Sequence, residues 1–137
     1  RSEEPIIYGD GAQTRDFTNI ADVIQGITLA METDKHLGND IFNIGTGTSI
    51  TVLALVDMIN RVLGTSIRPR HIDNPVKENY VLSQQADITK IRSVLGFTPS
   101  VSLEVGIRHI VEQRKKQEVR SPRDRTHEAN AIPRTDR

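Results

Sequence analysis

Cysteine is absent from this 137-residue sequence, which excludes disulfide frameworks, thiolate metal sites and thiol nucleophiles. Charge of either sign is not in excess: 18 Lys and Arg balance 18 Asp and Glu, for a formal net charge of +0. The chain therefore carries no electrostatic footprint for nucleic acid or an anionic membrane, and any basic site must be local. The histidines (His36, His71, His109 and His127) lie far apart, with neither His-x-x-x-His nor His-Glu-x-x-His spacing, so no metal site is expected. No apolar run approaches the roughly 20 residues that span a bilayer, and no signal peptide is visible. A soluble, cytoplasmic protein is expected. There is no Gly-x-Ser-x-Gly, and the paired carboxylates Glu3 and Glu4 sit at a terminus, where solvation is expected. Internal repeats and heptads are missing too. The first residue is Arg1 rather than Met, and an apolar run follows almost at once, so part of a longer protein is expected.

What is present centres on Ile6-Ile7-Tyr8-Gly9-Asp10-Gly11, followed by Arg15-Asp16-Phe17. A short apolar strand breaks at a double-glycine turn, where the backbone can bend as other residues cannot. The stretch closes on an arginine whose planar fork suits phosphate better than lysine does. Strand, turn and arginine make a clamp for an anionic ligand. The plainer alternative is a surface hairpin whose Arg15 pairs with Asp16 or Asp10.

The strongest helix signal comes next. Ile20, Val23, Ile24, Ile27 and Met31 form one helical stripe, Asn19 or Thr18 can cap its start, and its end is expected near Thr33. Asp22 adds negative charge to its first turn. Residues 41–44 read as a short buried strand, stopped by Gly45-Thr46-Gly47. A second helix begins near Thr51 with Val52, Leu55, Val56, Ile59 and Leu63 on one face and Gly64 past its end. Residues 67–72 read as a strand that Pro69 places at an edge or bulge, and Asn74-Pro75 as a turn. Asp87 caps a short helix with Ile88, Ile91 and Leu95 inward. Ser102 caps the last helix, with Leu103, Ile107, Ile110 and Val111 inward. From Glu118 the pattern fails, so a folded lobe over residues 1–117 and a disordered charged tail over 118–137 are expected. Short strands alternating with helices indicate an α/β fold whose few strands lean on something larger.

Strand, Gly45-Thr46-Gly47 and helix look like the start of a dinucleotide fingerprint, but the third glycine position holds Ile50. Asp73 also lies about 26 residues on, against the usual ~20. A turn with a helix entry is the better reading. Arg68, Arg70 and Lys77 flank the Asn74-Pro75 turn and can meet a diphosphate opposite Arg15. Tyr80 and Phe17 can stack on a base or sugar, although core packing serves Phe17 equally.

In order, Ile7-Tyr8-Gly9-Asp10-Gly11, Arg15-Asp16-Phe17, Ile20-Ala21-Asp22-Val23, Phe42-Asn43-Ile44-Gly45-Thr46-Gly47, Ala86-Asp87-Ile88-Thr89-Lys90 with Leu95-Gly96-Phe97-Thr98-Pro99, and Ser102-Leu103-Glu104-Val105-Gly106-Ile107 make a recognisable series. Over residues 5–111 it resembles the C-terminal part of the extended short-chain dehydrogenase/reductase family. The NAD-dependent nucleotide-sugar epimerases and dehydratases are the group concerned, and UDP-glucose 4-epimerases the nearest type.

The resemblance implies an α/β substrate-binding lobe, with the Rossmann core largely missing. In the complete family enzyme a Rossmann half binds NAD and this lobe binds the nucleotide sugar. Arg15 would reach the diphosphate, Ile7 and Tyr8 would lie along the nucleobase, and Phe17 would sit near the ligand or brace Arg15. Many members carry a second diphosphate arginine before the Ala-Asp motif. Here that segment reads Asn74-Pro75-Val76-Lys77-Glu78-Asn79-Tyr80, leaving Lys77 or Arg70 for the role. The family's catalysis also needs Tyr-x-x-x-Lys, whereas Ala12 lies four residues beyond Tyr8 and Gln84 four beyond Tyr80. No catalytic residue and no NAD site are therefore expected on this chain alone. A homodimer is a reasonable expectation. The alternative is a stand-alone, non-catalytic sugar-nucleotide-binding module or an inactive remnant.

Overall fold

The computed structural model describes residues 4–75, 78 and 80–120. In chain order its elements are β1 (Ile6–Tyr8), β2 (Thr14–Arg15), α1 (Ile20–Glu32), β3 (Ile50–Thr51), α2 (Val52–Leu63), β4 (Arg70–Ile72), α3 (Thr89–Leu95) and α4 (Leu103–Arg120). Two small sheets result. In one, β1 runs parallel to β4, with Ile7 opposite His71. In the other, β2 pairs antiparallel with β3, placing Arg15 opposite Ile50. Thr14 also bridges to Ser83, so β2 is held from both sides. The fold is α/β, with strands too short to make a sheet core of their own.

Local chemistry explains the boundaries. Gly11 has φ 78, in the left-handed region, and a side chain there would collide with Leu53, with Ile7 just behind. Asn19 caps α1 by accepting from the Ala21 N–H at 2.9 Å. Thr51 does the same for α2 through the Ala54 N–H at 3.1 Å, and Gly64 ends that helix in the left-handed region. At α3 the Asp87 carboxylate accepts from the Thr89 N–H at 2.9 Å. The helix boundary itself falls at Ile88, which has no side-chain cap. Ser102 Oγ accepts from Val105 N–H at the start of α4.

The core is small. Ile88, Ile91 and Phe97 are buried, with Leu29, Phe42, Ile44, Ala86 and Leu95 packed around them. Helix α1 lies against α3, and α2 against α4.

Several sequence expectations are corrected. The stripe on α1 is not a core face: Ile20 is 69% exposed, Met31 80%, and Ile24 and Ile27 are exposed as well. The buried positions of that helix are Asp22 and Gly26, because Gly26 lets α1 close onto the Ile44 side chain. Residues 41–44 form no strand, and Ile41 is 81% exposed. Phe42 and Ile44 do pack inward, so the segment has the alternation of a strand without a ladder partner among the described residues. Ile110 is exposed rather than inward. Helix α4 continues to Arg120, two residues beyond the expected start of the tail at Glu118. Residues 121–137 of that expected tail, and Lys77, lie outside the described residues.

Candidate functional site

Arg15 and Phe17 line a cavity of about 380 Å³ together with Thr46, Ile50, Pro99 and Leu103. Arg15 reaches it from β2. Its Nη1 donates to the Thr14 carbonyl at 2.7 Å, and its guanidinium carbon lies 5.7 Å from the centre of the Tyr80 ring. Neither Asp16 nor Asp10 pairs with it. Among the described residues Arg15 makes no ion pair, because both aspartates are turned to backbone groups. Asp10 accepts from the Ala12 N–H at 2.9 Å within the turn.

Asp16 organises the site. Its carboxylate accepts from Thr46 Oγ1 at 2.6 Å, Thr46 N–H at 3.0 Å, Gly47 N–H at 3.0 Å and Ala86 N–H at 3.2 Å. Three chain segments thus meet on one side chain. Gly45 makes the approach possible, since a Cβ there would lie 2.9 Å from the Asp16 carboxylate and would collide with Ala86. Burial pushes the Asp16 pKa up. The hydrogen bonds from Thr46, Ala86 and Gly47 outweigh that and hold it below the usual 3.8. Gln85 adds a second tie, donating to the Gly47 carbonyl at 2.7 Å and accepting from Ser49 Oγ at 3.2 Å.

The far wall of the cavity is set by Asp22, which is 0% exposed. It accepts from Ser100 N–H at 2.8 Å, Ser100 Oγ at 3.0 Å and Val101 N–H at 3.3 Å. A first-turn residue of α1 therefore fixes the loop that leads into α4. Reading Asp16 as an ion-pair partner and Asp22 as a helix-end charge misses both roles. Their donors lie some 30 and 78 residues away in sequence, and no spacing rule links them.

The other expected site residues fall elsewhere. Ile7 is buried beneath Gly11 beside Leu53, and Tyr8 is exposed on β1, so neither lines the cavity that holds Arg15. Arg70 is exposed on β4, also away from that cavity.

The Gly45-Thr46-Gly47 loop does not fit a dinucleotide. The Thr46 and Gly47 N–H groups that would cradle a pyrophosphate are already given to Asp16. Helix α2 starts only at Val52, so its N-terminus does not open on the loop. Among the described residues no group of His, Asp and Glu is placed to hold a metal ion, and no helix is long and apolar enough to cross a membrane.

Known proteins resemble this chain in sequence and in fold. A family model described as GDP-mannose 4,6 dehydratase matches residues 1–110. A putative UDP-glucose 4-epimerase of Methanocaldococcus jannaschii is 36% identical, over 84% of this chain and 35% of its own length. The crystal structure of UDP-glucose 4-epimerase from Thermotoga maritima with UDP-glucose superposes with a TM-score of 0.75 at 36% identity, covering 85% of this chain and 36% of that one. UDP-glucuronic acid 4-epimerase from Bacillus cereus, in complex with UDP-glucuronic acid and NAD, gives 0.72 at 32% identity, covering 82% and 36%. The chain spans about a third of the length of these relatives. It belongs to the GDP-mannose 4,6 dehydratase family, the extended short-chain dehydrogenase/reductases that include nucleotide-sugar epimerases.

Proposed function

We propose that this chain is the nucleotide-sugar-binding lobe of an NAD-dependent nucleotide-sugar epimerase or dehydratase, of the UDP-glucose 4-epimerase type. The observation that carries this reading is Arg15. It stands on the wall of a cavity beside Phe17, tied to the protein by a carbonyl and an aromatic ring, with no carboxylate among the described residues to neutralise it. A permanently charged fork held in this way is suited to the two acidic groups of a sugar-linked diphosphate. The Asp16 network fixes the loop opposite it, so the site is organised before ligand arrives, which lowers the ordering cost of binding. Lys77, outside the described residues, is the proposed second cation, and Ile7 and Tyr8 are the proposed strand along the base.

The lobe contributes binding energy and orientation rather than bond-making. NAD is proposed to belong to a Rossmann half that covers the apolar face of α1. Ile20, Ile24, Ile27 and Met31 on α1 expose the kind of apolar face that another protein surface buries. The relatives' greater length supplies room for such a half.

Calorimetric titration of the chain with UDP-glucose, UDP-glucuronate and GDP-mannose tests the reading. The UDP-sugars are expected to bind in preference, and Arg15→Ala to weaken them by about 1.5–3 kcal/mol, the scale of a charge-assisted bond. Equal affinity in mutant and wild type removes Arg15 from the site. The second reading, a stand-alone non-catalytic binder, is favoured by the way the Asp16 and Asp22 networks close within the chain. The intact mass of the protein from its native cells separates the two. A mass near 15.3 kDa supports the binder, and a much larger one the enzyme lobe.

A further inference from the structure

We propose that Tyr80 is a positioning residue for Arg15, its ring holding the guanidinium in the place of a carboxylate so that N–H groups of the fork stay free for two diphosphate oxygens. This rests on the reading of the cavity as a sugar-nucleotide site.

The two side chains are set against each other by backbone bonds as well as by their own contact. The Thr14 N–H donates to the Leu82 carbonyl at 2.8 Å, and the Gln84 N–H to the Thr14 carbonyl at 3.2 Å. Thr14 Oγ1 also bonds Ser83 Oγ at 3.0 Å. The segment that follows Tyr80 is therefore laced to the residue that precedes Arg15. The ring centre and the guanidinium carbon lie 5.7 Å apart, within the range where a cation is drawn to a ring face.

The choice of partner has a chemical consequence. A guanidinium carries five N–H donors in one plane. One is given to the Thr14 carbonyl. A carboxylate partner would take two more and cancel the charge, leaving little for a ligand. A ring attracts the cation without an ion pair, so among the described residues the charge stays uncompensated. Ring contact thus gives Arg15 a fixed direction while keeping it available.

The test uses the full chain with Tyr80→Phe and Tyr80→Leu. The Arg15 Nε–H resonance, assigned by its loss in Arg15→Lys, is followed by NMR without ligand, and UDP and uridine are titrated by calorimetry. Wild type and Tyr80→Phe are expected to share a ring-shifted Arg15 resonance and to agree in UDP affinity within about two-fold. Tyr80→Leu is expected to lose the shift and about three- to ten-fold of UDP affinity, with uridine affinity unchanged. Equal loss for uridine and UDP overturns the proposal and makes Tyr80 a surface for the base. A wild-type chain that binds UDP with an unshifted Arg15 overturns the role of Tyr80 alone. A chain with the shift that binds no UDP overturns the site reading beneath it.

Discussion

Around Asp16 and Asp22 the carboxylate oxygens find their donors inside the chain, whereas Ile20, Ile24, Ile27 and Met31, on the helix that carries Asp22, face solvent. The usual arrangement of polar outside and apolar inside is partly reversed along α1. Its inner face carries a buried carboxylate, a glycine and Leu29, which packs on the core, and its outer face is a row of large apolar side chains. The difference teaches which parts of the lobe are complete. The polar clamp around the cavity closes on itself, with donors that all come from this chain. The apolar face of α1 and the segment 41–44, which has no ladder partner among the described residues, leave large apolar side chains exposed, the half of a packing arrangement that the proposed Rossmann half would complete.

The sharpest way to test the contrast is to remove what the buried side holds. Phe97 is 0% exposed, so Phe97→Ala is expected to cost about 3–5 kcal/mol in urea unfolding. Asp22→Ala follows at about 3 kcal/mol, since it strands the Ser100 and Val101 donors in the interior. A loss below about 1 kcal/mol would mean that water replaces the carboxylate and the clamp is not closed.

Asp16→Asn is expected to cost less, about 1–2 kcal/mol near neutral pH, because the site is part-exposed and solvent screens it. Its pH dependence has a definite sign. The folded pKa lies below the ordinary 3.8, so the charged form is stabilised by folding. That contribution is fully present above about pH 5, well clear of the unfolded value, and is lost as pH falls through the depressed folded value. The stability gap between wild type and Asp16→Asn should therefore narrow below about pH 3.5 and be constant above pH 5. A gap that persists unchanged to pH 2 would assign the loss to packing instead.

The smallest effect is expected on the other side of the comparison. Ile24→Ser should change the stability of the isolated chain by less than about 0.5 kcal/mol while reducing its self-association in sedimentation. A cost on the scale of Phe97→Ala would show that the α1 face is already covered in solution and would break the contrast.

The elements around the candidate site were legible in one dimension, and unevenly so. The strand, the double-glycine turn and Arg15 are contiguous and can be read from order and residue type, but Ile7 and Tyr8 do not line the cavity that holds Arg15. The helix ends at Asn19, Thr51 and Gly64 follow from caps that act within a few residues. The periodicity of α1 was also visible, but periodicity reports that a helix has an apolar face and says nothing of what lies against it. Residues 41–44 show the same limit: their alternation is that of a strand, and a strand exists only when a neighbour supplies its ladder.

By itself, then, the sequence determined the helices, their caps, the turn, the arginine and the family. These depend on contacts within a few residues or on motif order. Only the tertiary structure decided that Asp16 serves the loop at Thr46 and Gly47, that Asp22 serves Ser100, that Tyr80 rather than a carboxylate faces Arg15, and that the α1 stripe points outward. Each of these joins residues far apart in sequence. A hydrogen bond or a ring contact chooses its partner by distance and direction in space, which one-dimensional spacing does not encode.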